Sequence, residues 1–193
     1  MSQTELFAVT AELPEGFVYQ ADFISTEEER SLVTAIEQLE FAQVKMHGVT
    51  AKRRVVHFGR GYEYESAALG SAPAIPQFLL PLRQRVGELA GPNPEQFAEV
   101  LVTEYAPGAG IGWHRDAPPF DIIVGISLLS ECTMRFRPWP AQKKSEERVK
   151  ALAQILEPRS AYILRGPSRT RWQHHIPPAK TRRFSITFRT LRS

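Results

Sequence analysis

The sequence has one cysteine, no internal repeat, no low-complexity tract and no apolar run long enough to cross a bilayer. A lone thiol, Cys132, can form neither an internal disulfide nor a thiolate metal cluster. It therefore predicts a reducing compartment and reads as a buried small hydrophobe. The opening stretch carries acids where a secretory signal carries bases, so the expected address is cytoplasmic, with no membrane partner. Neither sign of charge dominates: 24 Lys+Arg against 21 Asp+Glu leave a net charge of +3, which permits an anionic partner without requiring one. A chain of 193 residues can bury one sizeable core, and a single, monomeric domain over 1–193 is expected.

What is present is punctuation. The 15 prolines and 12 glycines are scattered between short segments, which implies many short strands. Two helical patterns come first. One opens at Thr26 with Glu29 at capping-box spacing and buries Leu32, Ile36 and Leu39; the other covers Gln77 to Leu89. Both read as supports outside a sheet, with 1–50 as an N-terminal support. From about residue 97 the period shifts towards two, with strands predicted at Ala98–Tyr105, Ile111–Asp116, Ile122–Leu129, Thr133–Arg137, Ala161–Leu164, Arg169–His175 and Arg183–Thr190. The fold class is therefore mainly β with flanking helices, α+β, built on a jelly-roll core over 97–190. Lys52–Tyr64 reads as a strand or hairpin leading into an aromatic-tipped loop. Gln142–Leu156 reads either as a helix capped by Ser145 or as a charged hairpin tip entering a strand, with the tip preferred. Basic residues crowd the C-terminal segment from Arg159 to Arg192, which reads equally as anion binding near the last strands or as a solvated basic face.

In Gly112-Trp113-His114-Arg115-Asp116 an imidazole and a carboxylate stand two apart. On a strand both project from one face, with open space beside Gly112. A third ligand is offered by His174 or His175. Alternation puts Thr170, Trp172 and His174 on one face, and the apolar Trp172 turns that face to the core, which selects His174. Two neutral imidazoles and one carboxylate on one side of an ion form the facial triad of non-haem iron oxygenases. Zinc hydrolysis uses similar ligands and is the rival reading. In the strand from Arg183 to Arg189, Phe184, Ile186 and Phe188 share one face while Arg183, Ser185, Thr187 and Arg189 share the other. An arginine fork suits the two carboxylates of 2-oxoglutarate, and a zinc hydrolase has no need of it.

Tyr105-Ala106-Pro107-Gly108, His114-x-Asp116, Trp172-x-His174 and Arg183 with five residues to Arg189 occur in that order, and over residues 55 to 190 the chain resembles the AlkB family of Fe(II)/2-oxoglutarate dioxygenases. The resemblance implies a double-stranded β-helix in which His114, Asp116 and His174 bind Fe(II), with no catalytic side chain beyond the metal centre and with 2-oxoglutarate and O₂ as co-substrates. It implies that Arg183 and Tyr105 hold the distal carboxylate of 2-oxoglutarate and that Arg189 serves the end nearer the metal. Six residues of straight strand span about 20 Å, however, so either the strand curves or Arg189 acts on Asp116 instead. Thr103 stands where many members have a co-substrate asparagine and can offer only its hydroxyl. Residues 52–66 look like the substrate lid, with Phe58, Tyr62 and Tyr64 as its aromatic contacts.

The activity implied is oxidative demethylation of alkylated nucleobases in DNA or RNA, a DNA-repair type of chemistry that yields succinate, CO₂ and formaldehyde. Ala117, Pro118 and Pro119 follow the iron aspartate where nucleic-acid repair members place an acid. That departure keeps a protein or small-molecule hydroxylase as the alternative, and a non-catalytic β-sandwich binding module is the reading that would bind no metal.

Overall fold

The structure is a computed structural model and describes residues 13–46, 49–63, 68–140 and 151–192. In chain order the elements begin with β1 (Phe17–Gln20), α1 (Thr26–Ile36), β2 (Ala42–Met46), β3 (Val49–Glu63) and β4 (Ala68–Ser71). A 3₁₀ turn (Gln77–Leu79) leads into α2 (Leu80–Ala90) and then β5 (Phe97–Tyr105). There follow β6 (Ile111–His114), β7 (Phe120–Leu128), β8 (Cys132–Pro138), β9 (Leu152–Leu156) and β10 (Ala161–Leu164). A helical turn, α3 (Pro167–Thr170), precedes β11 (Trp172–Ile176) and β12 (Arg183–Leu191). The strands form two antiparallel sheets: a larger one ordered β1-β10-β7-β12-β5-β3-β2, with β4 paired to β3, and a smaller one ordered β6-β11-β8-β9.

The alternation along β12 explains the layering. Phe184, Ile186 and Phe188 are fully buried in a cluster with Leu32 and Ile36 of α1 and Leu82 and Val86 of α2. The helices thus cover one face of the large sheet, as period-3.6 apolar stripes require. The opposite face of β12, with Arg183, Ser185, Thr187 and Arg189, is also buried. Facing it across a second apolar cluster, Tyr105, Phe120, Ile123 and Tyr162 of the large-sheet side meet Met134, Phe136, Leu156 and Ile176 of the small sheet. Close approach at one point requires glycine: Gly125 is in register with Tyr162 on β10, and a Cβ there would stand 2.3 Å from the tyrosine ring. Cys132 is free and buried, as expected, and burial pushes its thiol pKa up.

The structure moves several predicted boundaries. Helix α1 is capped one residue earlier than expected: the Glu28 backbone N–H donates to Ser25 Oγ (3.1 Å) and the Ser25 N–H to the Glu28 carboxylate (2.7 Å). Glu29 is left to accept from the Leu129 N–H. The strand predicted from Arg169 starts only at Trp172, because Gly166 turns with positive φ and Pro167 opens a helical turn that ends at Thr170. Thr170 therefore does not share a strand face with His174. Strand β6 stops at His114, so Asp116 lies beyond its end. Three short strands, β1, β2 and β4, went unread; β1 and β2 join the large sheet and β4 pairs with β3. Of Lys52–Tyr64, read as a strand or hairpin leading into a loop, the part up to Glu63 is one strand, β3, which pairs antiparallel with β4. Phe58 is not a lid residue. It is 6% exposed and packs in the helix-side cluster with Val100 and Leu79, since alternation along β3 turns it away from the cavity. The Tyr62 side chain and Tyr64 lie outside the described residues, as does the tip before β9. Among the described residues no helix is long and apolar enough to cross a membrane.

Candidate active site

Sheet register builds the metal site. In the small sheet His174 of β11 lies directly opposite His114 at the end of β6, so two residues far apart in sequence present their rings together, with centroids 4.2 Å apart. Asp116 reaches the same point from the loop after β6. That loop is pinned by Arg169, a buried side chain whose guanidinium donates to the carbonyls of Ala117 (2.8 Å) and Phe120 (2.7 Å). The ligand atoms of His114, Asp116 and His174 all lie within 4.8 Å of one another. A Cβ at Gly112 would meet nothing within 4 Å, so the space beside the triad is open, as read from the sequence.

The residues present fit a divalent ion. His174 Nε2 is 3.5 Å from Asp116 Oδ2, a spacing suited to two neighbouring ligands each about 2.1 Å from a common centre. Asp116 Oδ2 is buried with no hydrogen-bond partner, an acceptor aimed at nothing else in the protein. The His114 Nδ1–H donates to the Gly112 carbonyl (2.9 Å), which leaves Nε2 with its lone pair free to ligate. Burial pushes both imidazoles towards the neutral form, His174 down to about 3 with the neighbouring His114 adding to the effect. Burial alone would raise the Asp116 carboxyl, but His174 and the permanent charge of Arg189 outweigh it and hold Asp116 ionised. Neutral nitrogens and an anionic oxygen are what an open, mixed-ligand metal site needs.

Behind Asp116 runs a chain of charges. Arg189 donates to Asp116 Oδ1 (3.2 Å) with one nitrogen and to Glu99 (3.0 Å) with another, and the second oxygen of Glu99 meets His57 Nδ1 (2.9 Å). Glu99 is fully buried. Of the two readings left open for Arg189, the contact made is the one with Asp116. Arg183 is different. It is fully buried, donates one bond to Ser127 Oγ (3.0 Å), lies 4.9 Å from the Tyr105 ring centroid, and has two further nitrogens with no hydrogen-bond partner. A cation so placed points to an anion supplied from outside the protein, since an unpaired buried charge is costly.

A cavity of about 360 Å³ opens onto the triad and falls within the range of small-molecule sites. Its wall includes Thr103 and Tyr105 of β5, Ser185, Thr187 and Arg189 of β12, and all three candidate ligands. Arg183 lies one step behind this wall, against Tyr105, and does not line it. Sequence reasoning missed Glu99, Tyr162, Trp113 and Arg53. A lone acid within the apolar run of β5 was the available signal for Glu99, but only the register that places it opposite Arg189 gives it meaning. Tyr162 was hidden in Ala161–Leu164, and its partner Gly125 sits on a strand distant in sequence. Acids and cations on the wall are unequal: among the described residues Asp116 is the one carboxylate, against Arg53, Arg115 and Arg189.

The family model described as 2OG-Fe(II) oxygenase superfamily matches residues 16–189. Among similar curated proteins, the Arabidopsis thaliana "Alkylated DNA repair protein ALKBH8 homolog" is 27% identical over 92% of this chain and 59% of its own length. The Mus musculus "tRNA (carboxymethyluridine(34)-5-O)-methyltransferase ALKBH8" is 31% identical over 87% of this chain but only 25% of its own. The chain thus spans less than two thirds of either relative. A solved structure described as OsALKBH1 superposes with a TM-score of 0.68 at 14% identity, covering 93% of this chain and all of the other, which supports the jelly-roll fold. The triad, the buried arginine of the last strand and the family match over nearly the whole length agree, and the chain belongs to the 2OG-Fe(II) oxygenase superfamily, in its AlkB-like branch, as a dioxygenase that uses Fe(II), 2-oxoglutarate and O₂.

Proposed function

We propose that this dioxygenase oxidises an alkyl substituent on a nucleobase of RNA or DNA, in the cytoplasm. When bound, iron(II) with 2-oxoglutarate and O₂ supplies the oxidising power that converts a C–H bond to C–OH, with succinate and CO₂ as the other products. His114, Asp116 and His174 hold the ion. Arg183 neutralises the distal carboxylate of 2-oxoglutarate beside Tyr105, and the hydroxyls of Thr103, Ser185 and Thr187 on the wall offer neutral hydrogen bonds. Arg189, itself balanced by Glu99, keeps Asp116 ionised and turned towards the metal. If the oxidised carbon sits on a ring nitrogen, the C–N bond of the product breaks to release formaldehyde, and the outcome is demethylation. If it sits on a ring carbon, the hydroxyl stays.

The nucleobase reading rests on one observation above all: the cavity beside the triad is walled by Tyr105, Tyr162 and Trp113 and carries cations in excess, a combination that suits a flat ring attached to phosphates. The names of these two relatives, one referring to alkylated DNA and one to a uridine of tRNA, point the same way. Ala117 and Pro118 also line the cavity, where an acid could have read a base edge. That supports a second reading, hydroxylation of a protein or small molecule. The test is anaerobic loading with Fe(II) and 2-oxoglutarate, then O₂ and mass analysis against N-methylated oligonucleotides, oligonucleotides with 5-alkylated uridines, peptides and metabolites. Oxidation confined to the oligonucleotides supports the proposal, and turnover only on peptides or metabolites rejects it.

A further inference from the structure

The four strands of the small sheet, Ile111–His114, Trp172–Ile176, Cys132–Pro138 and Leu152–Leu156, contain no aspartate or glutamate. Their inner face holds the two metal histidines. Their outer face carries a transverse row: register sets His175 on β11 opposite Arg135 on β8 and Arg135 opposite Ala153 on β9, Trp113 on β6 lies beside His175, and Gln173 and Arg137 pair one step along. Soluble surfaces intersperse both signs of charge, and a face of one sign marks attraction of the other.

The side chains on this face are already arranged. The Trp113 and His175 rings lie 5.1 Å apart at 29°, and the Arg137 guanidinium sits 4.5 Å from the Trp113 ring centroid. Arg137 is fixed in that position by a 2.8 Å bond from its Nε to Gln173. Further along, Arg115 lies over Trp139 (5.1 Å), an indole left 41% exposed, and Ile155 on the outermost strand is 52% exposed. Flat rings interleaved with guanidinium groups match the two repeating parts of a nucleic-acid strand, base faces and phosphates. An anionic membrane or an acidic peptide would use the charge but not the stacked rings. Strand β6 is one edge of the sheet, and its Trp113, with Arg115 just beyond, also lines the catalytic cavity. The outer face therefore runs into the cavity mouth.

We propose that the outer face of the small sheet is a docking surface for single-stranded nucleic acid, which crosses the β6 edge so that one base can enter the cavity while its neighbours lie over Trp113, Arg137 and Arg135. This rests on the nucleobase reading of the substrate and adds the path of the strand. Four strands about 4.8 Å apart give a face roughly 14 Å wide, room for about four stacked nucleotides at a ~3.4 Å rise.

The test is binding of fluorescent single-stranded RNA and DNA oligonucleotides across a salt series, using the wild type, Arg135→Gln, Arg137→Gln, and Arg30→Gln on α1 as a control remote from this face. Each variant is first checked for an unchanged melting temperature. The expected result is that Arg135→Gln and Arg137→Gln each weaken binding several-fold at low salt, irrespective of base sequence, and lower the salt slope by about 0.7, the value of one lost phosphate contact on a single strand. Arg30→Gln should leave both quantities unchanged. If the wild type binds or oxidises oligonucleotides and the two sheet variants titrate like it, the docking surface is wrong while the substrate reading stands. If the wild type neither binds nor oxidises any oligonucleotide, both fall. Binding to phosphatidylserine vesicles with the same arginine dependence, and not to oligonucleotides, would reassign the face to membranes.

Discussion

Asp116 is gripped from two sides. On one it faces His114 and His174, and on the other Arg189, which is in turn balanced by the buried Glu99. Asp116→Ala should abolish Fe(II)-dependent succinate formation and metal binding while leaving the far-ultraviolet circular dichroism unchanged, because the triad is grafted onto a scaffold whose apolar clusters do not include it. Glu99→Gln is the sharper experiment. It preserves volume and hydrogen bonding but removes the charge that offsets Arg189, so Arg189 draws more of the electron density of Asp116. A drop in Mn(II) or Fe(II) affinity of about 10- to 100-fold is expected by calorimetry, the size usual for partners one layer out from a metal. Unchanged affinity would show that Glu99 only fills space. The sequence displayed the ligands because local alternation marks them, whereas Glu99 needed knowledge of what lies opposite it on another strand.

At the scale of elements, strand faces were legible and strand ends were not. The division of β12 into an aromatic face and a polar face follows from period two alone, and it stands in the structure with both faces buried. The start of β11 was misread because Gly166-Pro167 imposes a turn that the pattern Arg169 to His175 does not reveal. The short edge strands β1 and β2 carry too few residues for a period to show. Gly125 is another feature visible only through pairing, since its neighbour Tyr162 is 37 positions away. Gly125→Ala forces a methyl into that ring, and a loss of about 1–3 kcal/mol of stability is expected by urea denaturation. Replacement of Ser25 by alanine should cost about 1 kcal/mol through the lost cap of α1, with no effect on 2-oxoglutarate turnover.

For the whole molecule, the buried site links stability to pH. The folded protein holds His174 down to about 3, against an ordinary value of 6.5, so between those values the unfolded chain binds more protons than the folded one. Stability of the metal-free protein should therefore rise with pH across that window and fall as acid is added from pH 6.5 downward. Asp116, also depressed, acts in the same direction below its ordinary value of 3.8. Thermal melts of the metal-free protein from pH 7 to pH 4 should show the decline, and His174→Gln should flatten it. A melting temperature indifferent to pH in the wild type would contradict the buried, neutral imidazole.

On the proposed reading, Arg183 would give the fold a dependence on metabolism. If it pairs with 2-oxoglutarate as proposed, a buried guanidinium with two unsatisfied nitrogens ties the stability of the folded chain to that dicarboxylate. Digestion by a nonspecific protease should slow as 2-oxoglutarate is raised, and Arg183→Met should abolish that protection while making the chain hardier on its own. Cells starved of the keto acid would then lose the catalyst itself and not merely its turnover.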